Sequence, residues 1–138
     1  MTDENFANKK TPEFSAKKIL FAEDDASMRR FVEITLKQAG LQVFAVEDGL
    51  AAMKFALEND IDAIVADAIM PNLTGFDLCR MLRGNPDKKH IPIVILSGLE
   101  QNNAENDCLA DIYLLKDNKL KETLIKTLTD LLSDKPKS

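Results

Sequence analysis

Five short apolar runs recur along the chain: Ile19-Leu20-Phe21-Ala22, Val43-Phe44-Ala45-Val46, Ile61 to Ala66, Ile91 to Leu96, and Ile112 to Leu115. Several are β-branched and nearly continuous, the pattern expected of strands covered on both faces. Each run is followed by a stretch with helical spacing. After the first, Met28, Val32, Leu36 and Ala39 fall on one stripe, and Gly40 stands where a helix would stop. After the third, Leu78, Cys79 and Leu82 repeat the stripe, closed by Gly84 and Pro86. After the fifth, Leu120, Leu124, Leu128 and Leu131 continue it. The stretch after the fourth run, Gln101 to Asn106, is poor in helix formers and predicts the weakest and most mobile helix.

Strands that alternate with helices need crossover connections. The pattern therefore predicts an α/β fold of three layers, a doubly wound (βα)5 arrangement with a parallel five-stranded sheet between helices. The domain is expected over residues 17–132. Residues 1–16 read as a flexible N-terminal tail, with docking of Phe14 on the domain the competing reading, and 133–138 as a polar C-terminal tail. In such sheets ligands bind beyond the carboxyl ends of the strands, where the strand order reverses.

Those strand ends are chemically unusual. The first leads into Glu23-Asp24-Asp25, the third ends in Asp67, the fourth in Ser97-Gly98, and the fifth leads into Lys116-Asp117. A lone strand-end acid such as Asp25 ordinarily caps the next helix. Four strand ends offering complementary groups point instead to a site. Carboxylates converging without His or Cys suit a hard cation, Mg²⁺ above all. Three carboxylates carry about −3 charge, which one Mg²⁺ and one ammonium bring to about neutral. A phosphoryl group can then be attached with little change in local charge. Asp67 is the natural nucleophile, Ser97 a donor to a phosphoryl oxygen, and Lys116 a partner for another.

Composition removes competing classes. The chain has 138 residues, 45% apolar and 30% charged, too apolar for disorder. With 18 Lys plus Arg against 23 Asp plus Glu, its net charge of −5 argues against direct nucleic acid binding, which needs a basic stripe. No apolar run approaches the roughly 20 residues of a membrane span. Met1 to Lys10 lacks the apolar core of a secretory signal, so a cytoplasmic location is expected. Cys79 and Cys108 have no metal-binding spacing and read as reduced, partly buried thiols. His90 stands alone and reads as solvated. Arg29 and Arg30 read as a solvated helix face, with a partner contact the competing reading.

Four stretches together resemble the receiver domain of two-component response regulators, of the single-domain chemotaxis-regulator type. They are Ile19 to Asp25, Asp67-Ala68-Ile69-Met70-Pro71-Asn72-Leu73-Thr74-Gly75, Pro92 to Gly98, and Tyr113-Leu114-Leu115-Lys116. The resemblance implies a flavodoxin-like sheet with strand order 2-1-3-4-5. It makes Asp67 the phosphoacceptor, with Mg²⁺ held by Glu23, Asp24, Asp67 and the Ile69 backbone carbonyl. Asp25 falls just past the acidic pair and is not expected to be a ligand. Ser97 becomes the switch hydroxyl, Gly98 the small residue that keeps the site open, and Lys116 the conserved-type lysine. Tyr113 becomes the aromatic that turns inward on switching. The implied partners are a sensor histidine kinase or phosphotransfer protein and a downstream protein target. Such a protein is a phosphoacceptor that promotes its own phosphotransfer and dephosphorylation rather than an enzyme.

Two positions depart from the family. Asp117 replaces the usual proline, whose preceding bond is cis. A cis bond to a non-proline residue costs roughly 2.5–4 kcal/mol, so the expectation is either a trans bond with a shifted loop or a strained cis bond. Asp117 also places a fourth acid where it could compete for Lys116. Leu109 stands where the family commonly has glycine. The Lys116-Asp117 departure and the weak helix after the fourth run motivate an alternative, a receiver-like binding module that works without phosphorylation. An aspartyl phosphatase would want an acid at Ile69, and no glycine-rich nucleotide loop follows any strand.

Overall fold

The computed structural model describes residues 17–98 and 108–133. The tails expected at 1–16 and beyond Ser133, and the helix expected at 101–106, lie outside the described residues.

The described residues form five strands and four helices in chain order: β1 (Lys18–Ala22), α1 (Ala26–Gln38), β2 (Gln42–Val46), α2 (Gly49–Glu58), β3 (Ala63–Asp67), α3 (Gly75–Arg83), β4 (Ile93–Ser97), β5 (Ile112–Leu115) and α4 (Leu120–Leu132). All strand pairings are parallel, and the order is β2-β1-β3-β4-β5, as the resemblance implied. The chain moves outward from β1 to β2, then returns past β1 to place β3. The reversal falls between β1 and β3, and there the two carboxyl ends diverge into a crevice.

The strand-interior side chains sort by the two-residue period of the pleat. Leu20, Ala22, Ile64, Ala66, Ile93 and Ile95 face a core closed by Ala52 and Ala56 of α2 and by Phe76, Cys79 and Leu82 of α3. Ile19, Phe21, Val65, Val94 and Leu96 face the opposite core, closed by Val32 and Leu36 of α1 and by Leu120, Leu124, Leu128 and Leu132 of α4. Burial on both faces is why these strands read as continuous apolar runs. Ile61 and Ile91 are buried just before the strands they were expected to join. On α4 the buried residue of the last turn is Leu132, not the expected Leu131, which is only partly covered. A spacing of four precesses about 40° per step around the helix axis, carrying the stripe onto Leu132.

The helix starts follow local side-chain chemistry. Asp25, Asp48 and Thr74 each accept a backbone N–H from the first turn of α1, α2 and α3, from Met28, Ala51 and Asp77 at 2.7, 2.8 and 3.0 Å. Gly40, at φ 97°, ends the α1 turn in the left-handed region. None of the described helices is long and apolar enough to cross a membrane.

Candidate functional site

Glu23 follows β1 directly and Asp67 is the last residue of β3, so the β1–β3 pairing sets them side by side at the crevice. Ser97 ends β4 and Lys116 follows β5; the Lys116 N–H donates to the Ser97 carbonyl at 3.0 Å. One carboxylate oxygen from each of Glu23, Asp24 and Asp67 lies within 4.8 Å of the others. Lys116 Nζ spans the group, donating to Asp67 Oδ1 at 2.9 Å and Glu23 Oε1 at 3.3 Å. Glu23 is 1% exposed and Asp67 7%, whereas Asp24 opens to solvent.

Burial dominates the electrostatics. It pushes the Glu23 carboxyl above the ordinary carboxylate range; the Asp25 N–H at 3.1 Å resists, the Asp67 charge adds, and Lys116 resists. Burial likewise raises Asp67 against the pull of Lys116, with the Asp24 charge adding. Lys116 loses solvation too, but its bond to Asp67 and the charges of Asp67 and Glu23 outweigh this and raise its pKa. The pocket thus holds two reluctant anions and one firmly held cation. It is short of positive charge.

The donor set fits a small hard cation. Octahedral Mg²⁺ with oxygens at about 2.0–2.1 Å places neighbouring ligands about 3 Å apart and opposite ones about 4.2 Å apart. The three carboxylates reach that arrangement with side-chain movements on the order of 1 Å. No His or Cys intrudes on the group, so softer metals gain nothing there.

The backbone around Asp67 is equally constrained. The chain leaves β3, loops through residues 68–74 and returns, so that the Gly75 N–H donates to the Ala68 carbonyl at 2.8 Å. A Cβ at Gly75 would lie 2.2 Å from the Asp67 carbonyl oxygen. Only glycine fits there, which is why the Asp67-to-Gly75 motif ends as it does. Asn72, within this loop, holds a left-handed φ of 72°, a conformation asparagine tolerates.

The departures resolve as follows. No cis peptide bond occurs among the described residues, so the Lys116–Asp117 bond is trans. Asp117 does not take Lys116; its Oδ1 accepts the Lys119 N–H at 3.0 Å and its carbonyl the Leu120 N–H at 3.1 Å, organising the start of α4. Leu109 has a left-handed φ of 67° and is exposed, which explains why glycine suits the position. Tyr113 points its hydroxyl back at this segment, accepting the N–H groups of Cys108 (3.1 Å) and Ala110 (3.3 Å).

Two groups were not picked out by sequence. Arg29, read as a solvated face, donates to the Glu23 carbonyl at 2.9 Å and approaches that of Asp24 at 3.5 Å, clasping the turn that carries both acids. Arg83 grips the carbonyls of Lys89, Ile91 and Leu109 and, at 2.8 Å, the carboxylate of Asp111. The same Asp111 oxygen accepts the Ile93 N–H at 2.7 Å. Position on the first helix was a usable signal for Arg29, since six residues bring a helical arginine back to the strand end. Nothing local marked Arg83 or Asp111, whose partners lie up to 28 residues apart.

The response regulator receiver domain family matches residues 19–128. The chain is 33% identical over 109 residues to the response regulator ArlR of Staphylococcus saprophyticus, a match covering 79% of this chain and 50% of that protein. It spans about half the length of the curated relatives it matches. Among solved structures it is similar to the signal receiver domain of a histidine kinase from Syntrophus aciditrophicus (TM-score 0.79, 29% identity, 89% of this chain and 96% of that one). It is also similar to the receiver domain of a sensor histidine kinase from Pseudomonas aeruginosa, which has a magnesium ion coordinated in its active site cleft (TM-score 0.76, 28% identity, 84% and 97% covered).

Proposed function

The chain belongs to the response regulator receiver domain family, and on that premise we propose that Asp67 accepts a phosphoryl group, in a Mg²⁺-dependent reaction, from the phosphohistidine of a sensor histidine kinase or phosphotransfer protein. The observation that carries this reading is the single ammonium of Lys116 bridging Asp67 and Glu23 in a pocket gathering three carboxylates. Glu23, Asp24, Asp67 and the Ile69 carbonyl would hold Mg²⁺. When bound, that cation supplies the positive charge the pocket lacks.

Asp67 Oδ attacks phosphorus, the phosphorus–nitrogen bond breaks, and the departing imidazole takes up a proton. Lys116 already rests on Asp67 Oδ1 and needs only a small displacement to pair with an incoming phosphoryl oxygen, offsetting charge where it develops. Burial of Asp67 excludes competing water, and the fixed Asp67–Gly75 approach keeps the attacking oxygen in place. Ser97, at the neighbouring strand end, donates to the phosphoryl group. Movement of Ser97 and Lys116 is transmitted through β4 and β5, with Tyr113 following, to a surface read by a downstream protein. A tenfold shift of that equilibrium needs about 1.4 kcal/mol, within reach of one or two charge-assisted hydrogen bonds. The reading in which the fold works without phosphorylation loses its main motive, since Asp117 leaves Lys116 to Asp67.

The test is intact mass after incubation with acetyl phosphate, with and without Mg²⁺, for wild type and Asp67→Asn. A gain of one phosphoryl group that needs both Mg²⁺ and Asp67 is expected. Equal labelling of the Asn variant would remove Asp67 from its role, and no labelling of wild type would favour the binding module.

A further inference from the structure

Away from the acidic pocket, a second chemically distinctive cluster lies where α3 meets the segment leading into β5. Cys79, on α3, has no exposed surface, and Cys108 is 2% exposed. Neither is in a disulfide. The Cys79 thiol donates to the Cys108 carbonyl at 2.9 Å, which brings its sulfur against the Cys108 residue. Cys108 Sγ lies 3.6 Å from the Tyr113 hydroxyl. Among the described residues Arg80, Arg83, Gly84, Cys108 and Leu109 line an open cavity of about 400 Å³. Cys108 therefore meets a route from solvent that Cys79 does not, and two arginines flank it.

The pair is chemically asymmetric. The neighbouring Cys79 thiol, with the Tyr113 hydroxyl, the Ala110 N–H and the Arg80 charge, outweighs burial and pulls the Cys108 thiol below its usual range. Its hydrogen bond to Cys108 and burial push Cys79 the other way. A thiolate-forming cysteine in a cavity wall beside a fully buried protonated one is the arrangement of an attacking and a resolving thiol.

We propose that Cys79 and Cys108 are a reversible redox site, closing to an intrachain disulfide when the protein meets a small peroxide and resetting the contacts of Tyr113. The Cys108 thiolate attacks hydrogen peroxide, breaking the O–O bond to give the sulfenic acid and hydroxide, which takes the proton that Cys108 lost to give water. The Cys79 sulfur then attacks the Cys108 sulfur, its proton leaving with the displaced hydroxyl as a second water. The two thiols together lose two electrons and two hydrogens to one peroxide, and a dithiol reductant reverses the change. Drawing Cys108 toward α3 pulls its N–H and Sγ away from the Tyr113 hydroxyl that both now contact. The site thus acts on the aromatic of the fifth strand without involving Asp67.

The 138-residue chain is treated with hydrogen peroxide, alkylated with iodoacetamide and mapped without reduction. The expected result is a mass lower by about 2 Da before alkylation, no alkyl label, and a linked Cys79–Cys108 peptide, all reversed by dithiothreitol. Cys79→Ser is expected to stop at a Cys108 sulfenic acid, heavier by about 16 Da and trapped by dimedone. The chain has one tyrosine and no tryptophan, so its intrinsic emission reports Tyr113 alone. That emission should change on oxidation of wild type and not of Cys79→Ser. Absence of the linked peptide from oxidised wild type overturns the proposal, whether the thiols survive or oxidise separately, and this result needs no variant to fold. A linked peptide with unchanged emission overturns the Tyr113 coupling.

Discussion

Replacing Gly75 by alanine puts one methyl group into the backbone that carries the acceptor carboxylate. The added carbon would sit 2.2 Å from the Asp67 carbonyl oxygen, 3.0 Å from its carbonyl carbon and 3.2 Å from Ala68 Cα. Ordinary contact begins near 3.4 Å, so the end of β3 and the start of α3 must part by more than 1 Å. No rotamer relieves this, because every neighbour is main chain. Overpacking costs about 1–3 kcal/mol, and a backbone clash belongs at the upper end. Alanine returns up to about 1 kcal/mol of helix propensity, leaving a loss of about 2 kcal/mol. For a domain of this size that is a fall in Tm of about 8 °C. The same displacement moves the attacking oxygen, for which about a hundredfold slower labelling by acetyl phosphate is expected. Gly84→Ala is the matched control: its nearest neighbours would be at 3.6 and 3.7 Å and its φ is −86°, so it should be neutral or stabilise by about 0.4–1 kcal/mol. Urea unfolding followed by far-ultraviolet circular dichroism measures both. The reasoning fails if Gly75→Ala unfolds within about 0.5 kcal/mol of wild type with an unchanged m value.

Other outcomes follow from the charges and the strained corner. Glu23 and Asp67 have folded pKa values above their ordinary ones, so their contribution to stability is full below the ordinary carboxylate range and is lost as pH rises through the folded values. Metal-free protein should therefore gain stability from these two groups on mild acidification. Mg²⁺ at tenfold its Kd should add about 1.4 kcal/mol at neutral pH and progressively less in acid, as a thermal melt series with and without Mg²⁺ will show. Arg29→Met releases the turn holding Glu23 and Asp24, and calorimetric titration should find Mg²⁺ bound about tenfold more weakly; unchanged affinity would return Arg29 to a surface role. Leu109→Gly removes left-handed strain worth about 1–2 kcal/mol against a glycine entropy cost of about 0.5–1. The net gain of about 0.5 kcal/mol should appear as a higher urea midpoint, and a loss would contradict the account of that corner.

The sheet was legible because its three inner strands are sealed on both sides and so wrote themselves as apolar runs. The acidic pair, Asp67 and Lys116 were legible as neighbours because strand ends in a parallel sheet share one rim, so residues far apart in sequence could be assigned to one place. Tyr113 was singled out by the resemblance alone, and its hydroxyl partners at Cys108 and Ala110 were not legible, since backbone donors carry no sequence signature. The role of Asp117 was misread as competition for the lysine. A short side chain at that position meets the Lys119 N–H first, one turn's worth of local chemistry that outweighs a longer reach into the pocket. Arg83 and Asp111 escaped notice for the opposite reason. Their partners are fixed by the packing of α3 against the strands.

The loop from Ala68 to Thr74 opens to solvent at Ile69, Pro71 and Asn72, and insertions in loops that reach the surface usually cost little. This one is a ruler. Its ends are fastened to each other by the Gly75 N–H on the Ala68 carbonyl, and its far end is a helix seated on the carbonyl of Asp67, the residue just before it. An added or deleted residue would be absorbed by sliding Gly75 off that carbonyl and bringing Thr74 or Phe76, with a side chain, onto it. Length variation among relatives with the same chemistry is therefore expected in the other connections and not here, and the eight-residue interval ending in glycine is set by contact distance rather than by any group the loop presents to solvent.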